Sequence, residues 1–330
     1  MAKLRLSLAC WSYDRTRGLL EGRIPVDGVE LTCLDLPVEE TFFRMLRHRE
    51  FDVAEMSLSS FAMTLSAENP PFIAIPVFPS RYFRHSCIYV HRDSGIREPK
   101  DLIGKRVGTP EYQMTAGVWI RGILADRHQL PVAGPTYFTG GLEEAGRTEK
   151  TKLSLPPEIR VQPIPATKTL SQMLEAGELD ALYTARMPSS FADGHGAIER
   201  LFPGYDAVER EYFSATKIFP IMHTVVIRRE LYAANPWVAQ SLSKAFAAAQ
   251  REAYHDLHET AALKTMLPWL RRHLDETEQL MGRDFWPYGL EPNQATLETF
   301  LRYHFEQGLL KKHLRPKDLF APESLESFKI

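Results

Sequence analysis

The segment Met45-Leu46-Arg47-His48-Arg49-Glu50-Phe51-Asp52-Val53 has a counterpart later in the chain, Met173-Leu174-Glu175-Ala176-Gly177-Glu178-Leu179-Asp180-Ala181. In each copy the pattern predicts that a helix ends, an acidic pair makes the turn and a buried strand begins. The alternative explanation of this repeat is chance, because short helix–turn–strand units often resemble each other. Two α/β lobes built on the same plan would explain the repeat, and this is the organisation we predict.

Strand-like and helical segments alternate on both sides of these copies, and the pattern restarts after Ser94-Gly95. In chain order the strand-like segments are 4–9, 29–36 and 51–56, and the segment 102–110 is a turn with a short strand. The helical segments are 37–48 and 115–128. Strands that alternate with helices of this length predict an α/β fold in which helical crossovers join parallel strands.

A chain of 330 residues is long enough for about two domains. The β-rich segments 83–91 and 219–228 lie between the two lobe patterns, so we interpret them as crossovers through which the chain leaves the first lobe and returns. We predict lobe 1 over 1–92 and 215–330, lobe 2 over 93–214, and a substrate cleft between the lobes.

The C-terminal third predicts a mostly helical region. Asn235-Pro236 has the residue types of a helix start, with Asn at the cap and Pro at the first helical position. The helix that follows has an apolar stripe made of Val238, Leu242, Phe246, Ala249 and Ala253. This stripe is the side that we expect to be buried.

The amino-acid composition excludes some classes of binding partner. Lys plus Arg total 40 and Asp plus Glu total 42, a formal net charge of −2, so no overall field attracts nucleic acid or an anionic membrane. No apolar run approaches the ~18 to 20 residues of a bilayer crossing. The three cysteines, Cys10, Cys33 and Cys87, lack C-x-x-C spacing, which favours a reducing compartment. Because Arg5 interrupts the first apolar stretch, no signal peptide is expected and we predict a cytoplasmic protein.

Nucleotide, hydrolase and metalloprotease motifs are missing from the sequence, which has no P-loop, G-x-G-x-x-G, G-x-S-x-G or H-E-x-x-H. His255 and His258 lack a third ligand at metal spacing, so we interpret them as a helix surface. We therefore expect no cofactor and no metal site, and a divalent ion held by His and Glu stays the open alternative. The sequence does not determine the oligomeric state, and a homo-oligomer is one of the alternatives.

Several motifs resemble known families. Asp-Leu-Ile-Gly-Lys-Arg-Val-Gly at 101–108 resembles the second-lobe opening of the type II periplasmic-binding-protein fold. A closer resemblance, over nearly the whole chain, is to the bacterial 4,5-dihydroxyphthalate decarboxylases. It lies in Arg84-His85, in GTPEYQMTAGVWIRG at 108–122, in FPIMHTVVIR at 219–228 and in Asn235-Pro236-Trp237. The resemblance implies a two-lobed α/β scaffold of the binding-protein type, with a helical C-terminal region, that carries a cytosolic enzyme of aromatic-acid degradation.

Ligands of open α/β sheets bind at the carboxyl ends of the strands. The side chains that follow the predicted strands form a candidate substrate-binding set of Trp11, Tyr13, Ser57, Tyr112, Thr115 and Tyr183. The segment 110–115 also opens a helix, whose free N–H groups suit a carboxylate, although Thr115 can equally be a simple cap. Arg84 and Arg186 are candidate carboxylate ligands, with a surface ion pair as the alternative for Arg84.

Three side chains are candidates for proton transfer. His85 and His223 occupy matching places on the two crossovers, and histidine exchanges protons near neutral pH. Strand alternation would put Arg84 and His85 on opposite faces. Glu111 is a candidate proton donor or a capping carboxylate. A structural, hydrogen-bonded role is the alternative for either histidine.

These observations and the resemblance together predict a cofactor-independent carboxy-lyase. Its expected substrate is a hydroxylated aromatic dicarboxylic acid such as 4,5-dihydroxyphthalate, which would lose CO₂ to give protocatechuate. One histidine would deprotonate the phenol, and the other histidine or Glu111 would protonate the ring carbon. The alternative is a non-catalytic cytoplasmic binding protein or sensor for an aromatic or sulfonate anion.

Overall fold

The computed structural model describes residues 2–192 and 196–325. The strands are β1 (Leu4–Ala9), β2 (Val29–Leu34), β3 (Val53–Ser57), β4 (Phe72–Ile75), β5 (Ile88–His91), β6 (Arg106–Thr109), β7 (Thr136–Thr139), β8 (Val161–Pro163), β9 (Ala181–Tyr183), β10 (Ile198–Arg200) and β11 (His223–Arg228). The α-helices are α1 (Asp14–Leu20), α2 (Val38–His48), α3 (Leu58–Thr64), α4 (Thr115–His128), α5 (Leu170–Glu175), α6 (Ser189–Ala192), α7 (Tyr205–Thr216), α8 (Arg229–Ala234), α9 (Trp237–His258), α10 (Leu270–Met281) and α11 (Gln294–Glu306).

The chain divides into two compact units, each with its own sheet. The first unit takes in the chain up to Arg81, Ile221–Leu297 and the chain from Leu314 onward, and the second unit takes in Tyr82–Pro220 and Glu298–His313. These bounds differ from the predicted lobes, most clearly because residues 298–313 belong to the second unit. The α11 residues Phe300 and Tyr303 pack there against Trp119 of α4, with ring centroids 5.5 and 5.7 Å apart. The predicted substrate cleft stays a prediction.

The first unit is built on a five-stranded sheet in the order β2-β1-β3-β11-β4. β1 pairs in parallel with β2 and β3, whereas β11 is antiparallel to β3 and β4. The register sets His223 opposite Ser57 and Val225 opposite Glu55. This pairing brings the start of β11 beside the carboxyl end of β3.

The second unit is built on a six-stranded sheet in the order β10-β5-β9-β6-β7-β8. Neighbouring strands in the run β9-β6-β7-β8 are parallel to each other. β5 is antiparallel to both of its neighbours, β9 and β10. Each unit therefore combines parallel strands with an inserted antiparallel strand, β11 in one and β5 in the other. This confirms the predicted α/β fold class.

Asp52 and Asp180 explain the shared turn of the two sequence copies. Asp52 accepts a hydrogen bond from the backbone N–H of Ser7 in β1 at 2.8 Å and another from Arg228 at 2.6 Å. Asp180 accepts from the backbone N–H of Arg106 in β6 at 2.8 Å, and from its side chain. Each aspartate ties the entrance of its strand to the neighbouring parallel strand. The predicted helix–turn–strand repeat is confirmed as α2–β3 and α5–β9.

The apolar helix patterns are buried as predicted. α4 spans the predicted residues 115–128, and its Trp119, Ile120, Ile123 and Leu124 are buried. In α9 the whole predicted stripe is buried, and it packs on strand residues such as Val53 and Val225. Burying these side chains removes apolar surface from water, which stabilises each unit by roughly 25 cal/mol per Å². No helix of the described residues is long and apolar enough to cross a membrane.

The prediction of one extended segment over 83–91 is wrong at its beginning. Arg84 precedes a short 3₁₀ helix, His85–Cys87, and the strand begins only at Ile88. The strict alternation that would put Arg84 and His85 on opposite faces therefore does not hold. The second predicted crossover begins its strand at His223, which is the first residue of β11.

Candidate active site

Glu55 is the centre of a polar cluster in the first unit. It lies in β3 with its side chain fully buried, and its two oxygens accept bonds from four groups. Oε1 binds the Tyr13 hydroxyl at 2.7 Å and Nδ1 of His223 at 2.6 Å, while Oε2 accepts from the backbone N–H of Trp11 at 3.2 Å. The thiol of Cys10 lies 3.6 Å from Oε2. The carboxylate is thus fully satisfied although it is buried.

The charge on Glu55 is stabilised by its neighbours. Burial alone would raise the pKa of this carboxyl, but the hydrogen bond and charge of His223 and the hydroxyl of Tyr13 outweigh it and lower the pKa below its usual value. The same carboxylate, together with burial, raises the pKa of Tyr13 far above its usual value. Burial raises the pKa of the Cys10 thiol as well. Near neutral pH Glu55 is therefore an anion and Tyr13 a hydrogen-bond donor.

His223 is held in one orientation by this carboxylate. Nδ1 must carry a proton in order to donate to Glu55, so in the neutral ring Nε2 is the nitrogen that can accept a proton. The Phe42 ring and the imidazole form a T-shaped contact with centroids 4.8 Å apart. The His223 side chain is 16% exposed, so part of it is accessible. A carboxylate that fixes the tautomer of an accessible histidine is the arrangement of a general base.

The other predicted residues of the first unit have clear positions. Tyr13 and Trp11 follow β1 and reach Glu55 through a hydroxyl and a backbone N–H, and the Trp11 ring is exposed. Ser57 ends β3 and caps α3, because its hydroxyl accepts from the backbone N–H of Ser60 at 3.4 Å. Ser57 is therefore explained by local structure, and its predicted role with substrate stays a prediction.

Glu111 is the centre of a different cluster in the second unit. Its side chain is 2% exposed, and Oε1 contacts Nη2 of Arg147 at 2.5 Å and Nζ of Lys150 at 2.9 Å. Oε2 accepts a hydrogen bond from Gln113 at 2.6 Å. Its two oxygens are thus occupied by two cations and an amide. The predicted role of Glu111 as a proton donor stays a prediction.

Glu149 is the titratable group beside Glu111 that sequence reasoning missed. Its Oε1 accepts from the backbone N–H of Tyr112 at 2.5 Å, and its buried Oε2 has no partner among the described residues. Burial, with the nearby Glu111 charge as a further cause, raises the pKa of Glu149 to about 7. The two carboxyls thus differ in their partners, since Glu111 is paired with two cations and one oxygen of Glu149 has no partner among the described residues. The sequence offered no signal for this, since Glu149 lies in a polar loop.

Three further predicted residues of the second unit lie close to its core. Tyr112 is buried under the Arg121 guanidinium, 3.9 Å from the ring centroid, and its hydroxyl donates to the backbone of Gln307. Tyr183 ends β9 and is fully buried. Thr115 is buried at the first position of α4, where Met114 is the cap residue. For the tyrosines, burial makes packing the role that the contacts support.

The two predicted carboxylate ligands differ in exposure. Arg84 is buried, with Nη1 3.6 Å from the Cys87 sulfur and its guanidinium 4.8 Å from the Tyr82 ring centroid. Arg186 is exposed after β9, and its backbone N–H donates to the Thr184 hydroxyl. These contacts do not test whether either arginine binds a substrate carboxylate. That role stays a prediction for both residues.

His85 lies in an aromatic environment. It is 2% exposed, its ring packs against Phe202 and Tyr212 with centroids 5.7 and 5.2 Å apart, and Nδ1 has no partner among the described residues. Burial, followed by the charge of His128, lowers the pKa of His85 to about 4. His85 is therefore neutral near pH 7 and holds no spare proton to donate.

Residues 2–192 and 196–325 contain no group of three or more His, Cys, Asp or Glu side chains that could hold a metal ion.

Solved structures define the class of protein. The sulfonate-binding protein SsuA from Methylobacillus flagellatus matches with a TM-score of 0.54 and 13% identity, over 98% of this chain and 93% of that one. The SsuA protein of Escherichia coli matches with a TM-score of 0.51 and 14% identity, over 96% and 97%. Identities this low show the fold alone, so the chain has a periplasmic-binding-protein-like fold, as predicted.

Sequence relatives are more specific. No protein-family model matches the chain. The 4,5-dihydroxyphthalate decarboxylase of Comamonas testosteroni is 41% identical over 330 residues, all of both chains. The enzyme of that name from Pseudomonas putida is 45% identical over 215 residues, 65% of this chain and 83% of that protein. The chain belongs to the 4,5-dihydroxyphthalate decarboxylase family, and the predicted enzyme class, a carboxy-lyase, is confirmed.

Proposed function

We propose that this protein removes one carboxylate from 4,5-dihydroxyphthalate and releases protocatechuate and CO₂, with His223 as the general base. The substrate is the one that the names of the two relatives state. The observation that supports the base is the bond of 2.6 Å between Nδ1 of His223 and the buried Glu55 carboxylate. It leaves Nε2, on a partly exposed ring, to take a proton from a phenol.

The chemistry requires one base and one acid. The base removes the proton of the hydroxyl para to the departing carboxylate, and the electron pair moves through the ring to the carbon that bears this carboxylate. That carbon takes a proton from the acid, and the ring loses its aromaticity. The bond to the carboxylate then breaks, its electron pair restores the aromatic phenolate, and CO₂ leaves. The phenolate recovers its proton from the base, and the acid recovers one from water.

The sequence leaves the acid open between a histidine and Glu111, and the side-chain environments distinguish the candidates. His85 is neutral and Glu111 is paired with two cations, so neither suits the role predicted for it. Glu149, with a pKa of about 7 and a buried unpartnered oxygen, has the properties of a carboxylic acid that donates near neutral pH. We therefore propose Glu149 in place of Glu111.

A cytoplasmic location is part of the same proposal. Cys10, Cys33 and Cys87 form no disulfide in the described chain, which suits a reducing compartment. Cell fractionation with a cytoplasmic and a periplasmic marker tests this. Sedimentation of the purified protein measures whether a homo-oligomer forms.

The test of function is direct. Purified protein is mixed with 4,5-dihydroxyphthalate, and protocatechuate is followed by chromatography together with released CO₂. We expect equal amounts of the two products, and their loss in His223→Ala. If no protocatechuate forms under reducing conditions, with and without added divalent metal, the proposed substrate is wrong.

A further inference from the structure

Arg15 is a cation of the first unit that the sequence did not single out. Its guanidinium lies between two aromatic rings, 4.3 Å from the centroid of Tyr13 and 4.1 Å from that of Trp286. The Trp286 ring is itself fixed, since its Nε1–H donates to the backbone oxygen of Phe78 at 2.8 Å. Stacking on two rings orients a planar guanidinium and stabilises its charge.

Two hydrogen bonds fix Arg15 further. Nε donates to the backbone oxygen of Pro79 at 2.6 Å, and Nη1 donates to Asp14 at 2.9 Å. The Arg15 side chain is only 16% exposed, whereas that of Asp14 is 55% exposed. An ion pair with so exposed a carboxylate is weak, so the charge of Arg15 is little compensated. Within the part of the chain that the structure describes, Nη2 has no hydrogen-bond partner.

The same tyrosine connects Arg15 to the histidine. Tyr13 stacks under the Arg15 guanidinium with its ring, and its hydroxyl donates to Glu55, which binds His223. Arg15, Tyr13, Glu55 and His223 are thus four consecutive members of one contact network. A substrate phenol at Nε2 of His223 therefore has a preorganised guanidinium in the same cluster.

We propose that Arg15 binds the substrate carboxylate that remains in the product. This inference rests on the proposed function. The reaction turns the departing carboxylate into neutral CO₂, so an arginine on that group would stabilise the ground state more than the transition state. On the retained carboxylate the same ion pair is equally strong throughout the reaction, and it aligns the ring without opposing the loss of CO₂. The chemistry therefore assigns Arg15 to the carboxylate that protocatechuate keeps.

The test uses three stable probes and calorimetry. Protocatechuate and phthalate carry carboxylates, whereas catechol has the two hydroxyls alone. Arg15→Met keeps an apolar stem between the rings and removes the charge. We expect it to raise the dissociation constant of protocatechuate and of phthalate by about tenfold to 100-fold and to leave that of catechol within about twofold, because a bond to a charged group is lost. In turnover, KM should rise far more than kcat falls.

Two variants serve as controls. Arg17→Met removes an exposed arginine from the same helix and should bind all three probes like the wild type. Arg15→Lys restores the charge without the planar fork, and we expect it to recover part of the affinity for protocatechuate. Circular dichroism of each variant shows that the protein is folded.

Distinct outcomes separate this inference from the proposed function. If Arg15→Met binds protocatechuate like the wild type, or loses catechol as strongly as protocatechuate, Arg15 is a packing residue and the inference is wrong. If the wild type binds neither protocatechuate nor phthalate, the inference is wrong as well. If the wild type binds them in an Arg15-dependent manner but does not decarboxylate 4,5-dihydroxyphthalate, the inference stands and the proposed reaction fails.

Discussion

His223 begins the antiparallel strand β11 of the first unit and His85 lies in the 3₁₀ helix before the antiparallel strand β5 of the second, and their surroundings differ. The imidazole of His223 donates to a buried carboxylate and is partly exposed. The imidazole of His85 is buried against Phe202 and Tyr212, and its Nδ1 has no partner among the described residues. The first environment fixes the orientation of the ring, whereas burial in the second opposes a positive charge on it. Position in the fold therefore does not determine the role of a histidine, whereas its neighbours do.

The largest expected effect separates the two histidines in turnover. His223→Ala should lower kcat by at least about 100-fold, since it removes the general base. His85→Phe, which suits the aromatic environment, should lower it by less than about tenfold. Initial rates of protocatechuate formation measure both variants. Similar losses for the two variants would contradict the difference in role between the two histidines and would restore His85 to the proton-transfer role.

A smaller effect is expected when the carboxylate behind His223 is neutralised. Glu55→Gln keeps the side-chain size but removes the charge, and the amide no longer specifies which ring nitrogen carries the proton. We expect kcat to fall on the order of 50-fold, less than for loss of the base itself, with KM little changed.

Nitrogen NMR of the imidazole checks that this loss is due to positioning. In the wild type, the His223 signals should show a proton on Nδ1 in the neutral ring, and in Glu55→Gln the two tautomers should mix. Tyr13→Phe is a useful comparison, because it removes another hydrogen bond to Glu55 and leaves the His223 contact in place. An unchanged tautomer in Glu55→Gln would exclude the positioning role.

The contrast also predicts how stability depends on pH. The pKa of His85 is lowered to about 4 in the folded state, against ~6.5 when unfolded. The unfolded chain therefore binds the proton first, and this residue destabilises the protein as the pH falls below ~6.5. Between pH 7 and pH 5 the loss is about 2 kcal/mol. Urea unfolding at both pH values should show that His85→Phe loses less stability than the wild type.

His255→Gln is the matched control for this measurement. The His255 side chain is 78% exposed, so its replacement should leave the pH dependence unchanged. If His85→Phe and the wild type lose the same stability on acidification, burial does not hold His85 in its neutral form.

Much of the fold could be predicted from the sequence, because it depends on local patterns. The repeat around Asp52 and Asp180 predicted two similar units, and the apolar spacing of 115–128 predicted the bounds of α4. The first predicted crossover was wrong near His85, since a 3₁₀ turn of three residues has no periodicity that a sequence could reveal. Most of α11 belongs to the second unit. This assignment depends on packing between distant segments, which no local sequence pattern encodes.

The site was harder to predict, because its contacts join distant segments. Tyr13 follows β1, Glu55 lies in β3 and His223 begins β11, and only the sheet order brings these three segments together. Tyr13 and His223 were predicted from their positions, whereas Glu55 was noted only as a residue near the end of its strand and received no role, because a lone glutamate in a strand gives no sign of its partners. Arg15 was missed for the same reason, since its ring partner Trp286 is far along the chain. Which carboxyl keeps a proton is decided by burial and neighbouring charge alone.

The smallest expected effect concerns that last choice, between Glu111 and Glu149. The pKa of Glu149 is raised to about 7 in the folded protein, against ~4.3 when unfolded. Its contribution to stability is therefore present below ~4.3 and is lost as the pH rises through 7. Glu149→Gln imitates the protonated carboxyl, so it should leave stability unchanged at pH 4 and increase it by about 1 kcal/mol at pH 8, a value reduced for partial exposure.

Chemical unfolding at the two pH values measures this, and Glu144→Gln is the control. Glu144 lies in the same loop and is exposed, so its replacement should change stability little at either pH. Glu111→Gln should behave in the opposite way to Glu149→Gln, because it leaves Arg147 and Lys150 without their shared buried partner and should destabilise the protein at pH 8. Stabilisation by both substitutions at pH 8 would mean that the two carboxyls share one environment, and the assignment of Glu149 as the acid would lose its basis.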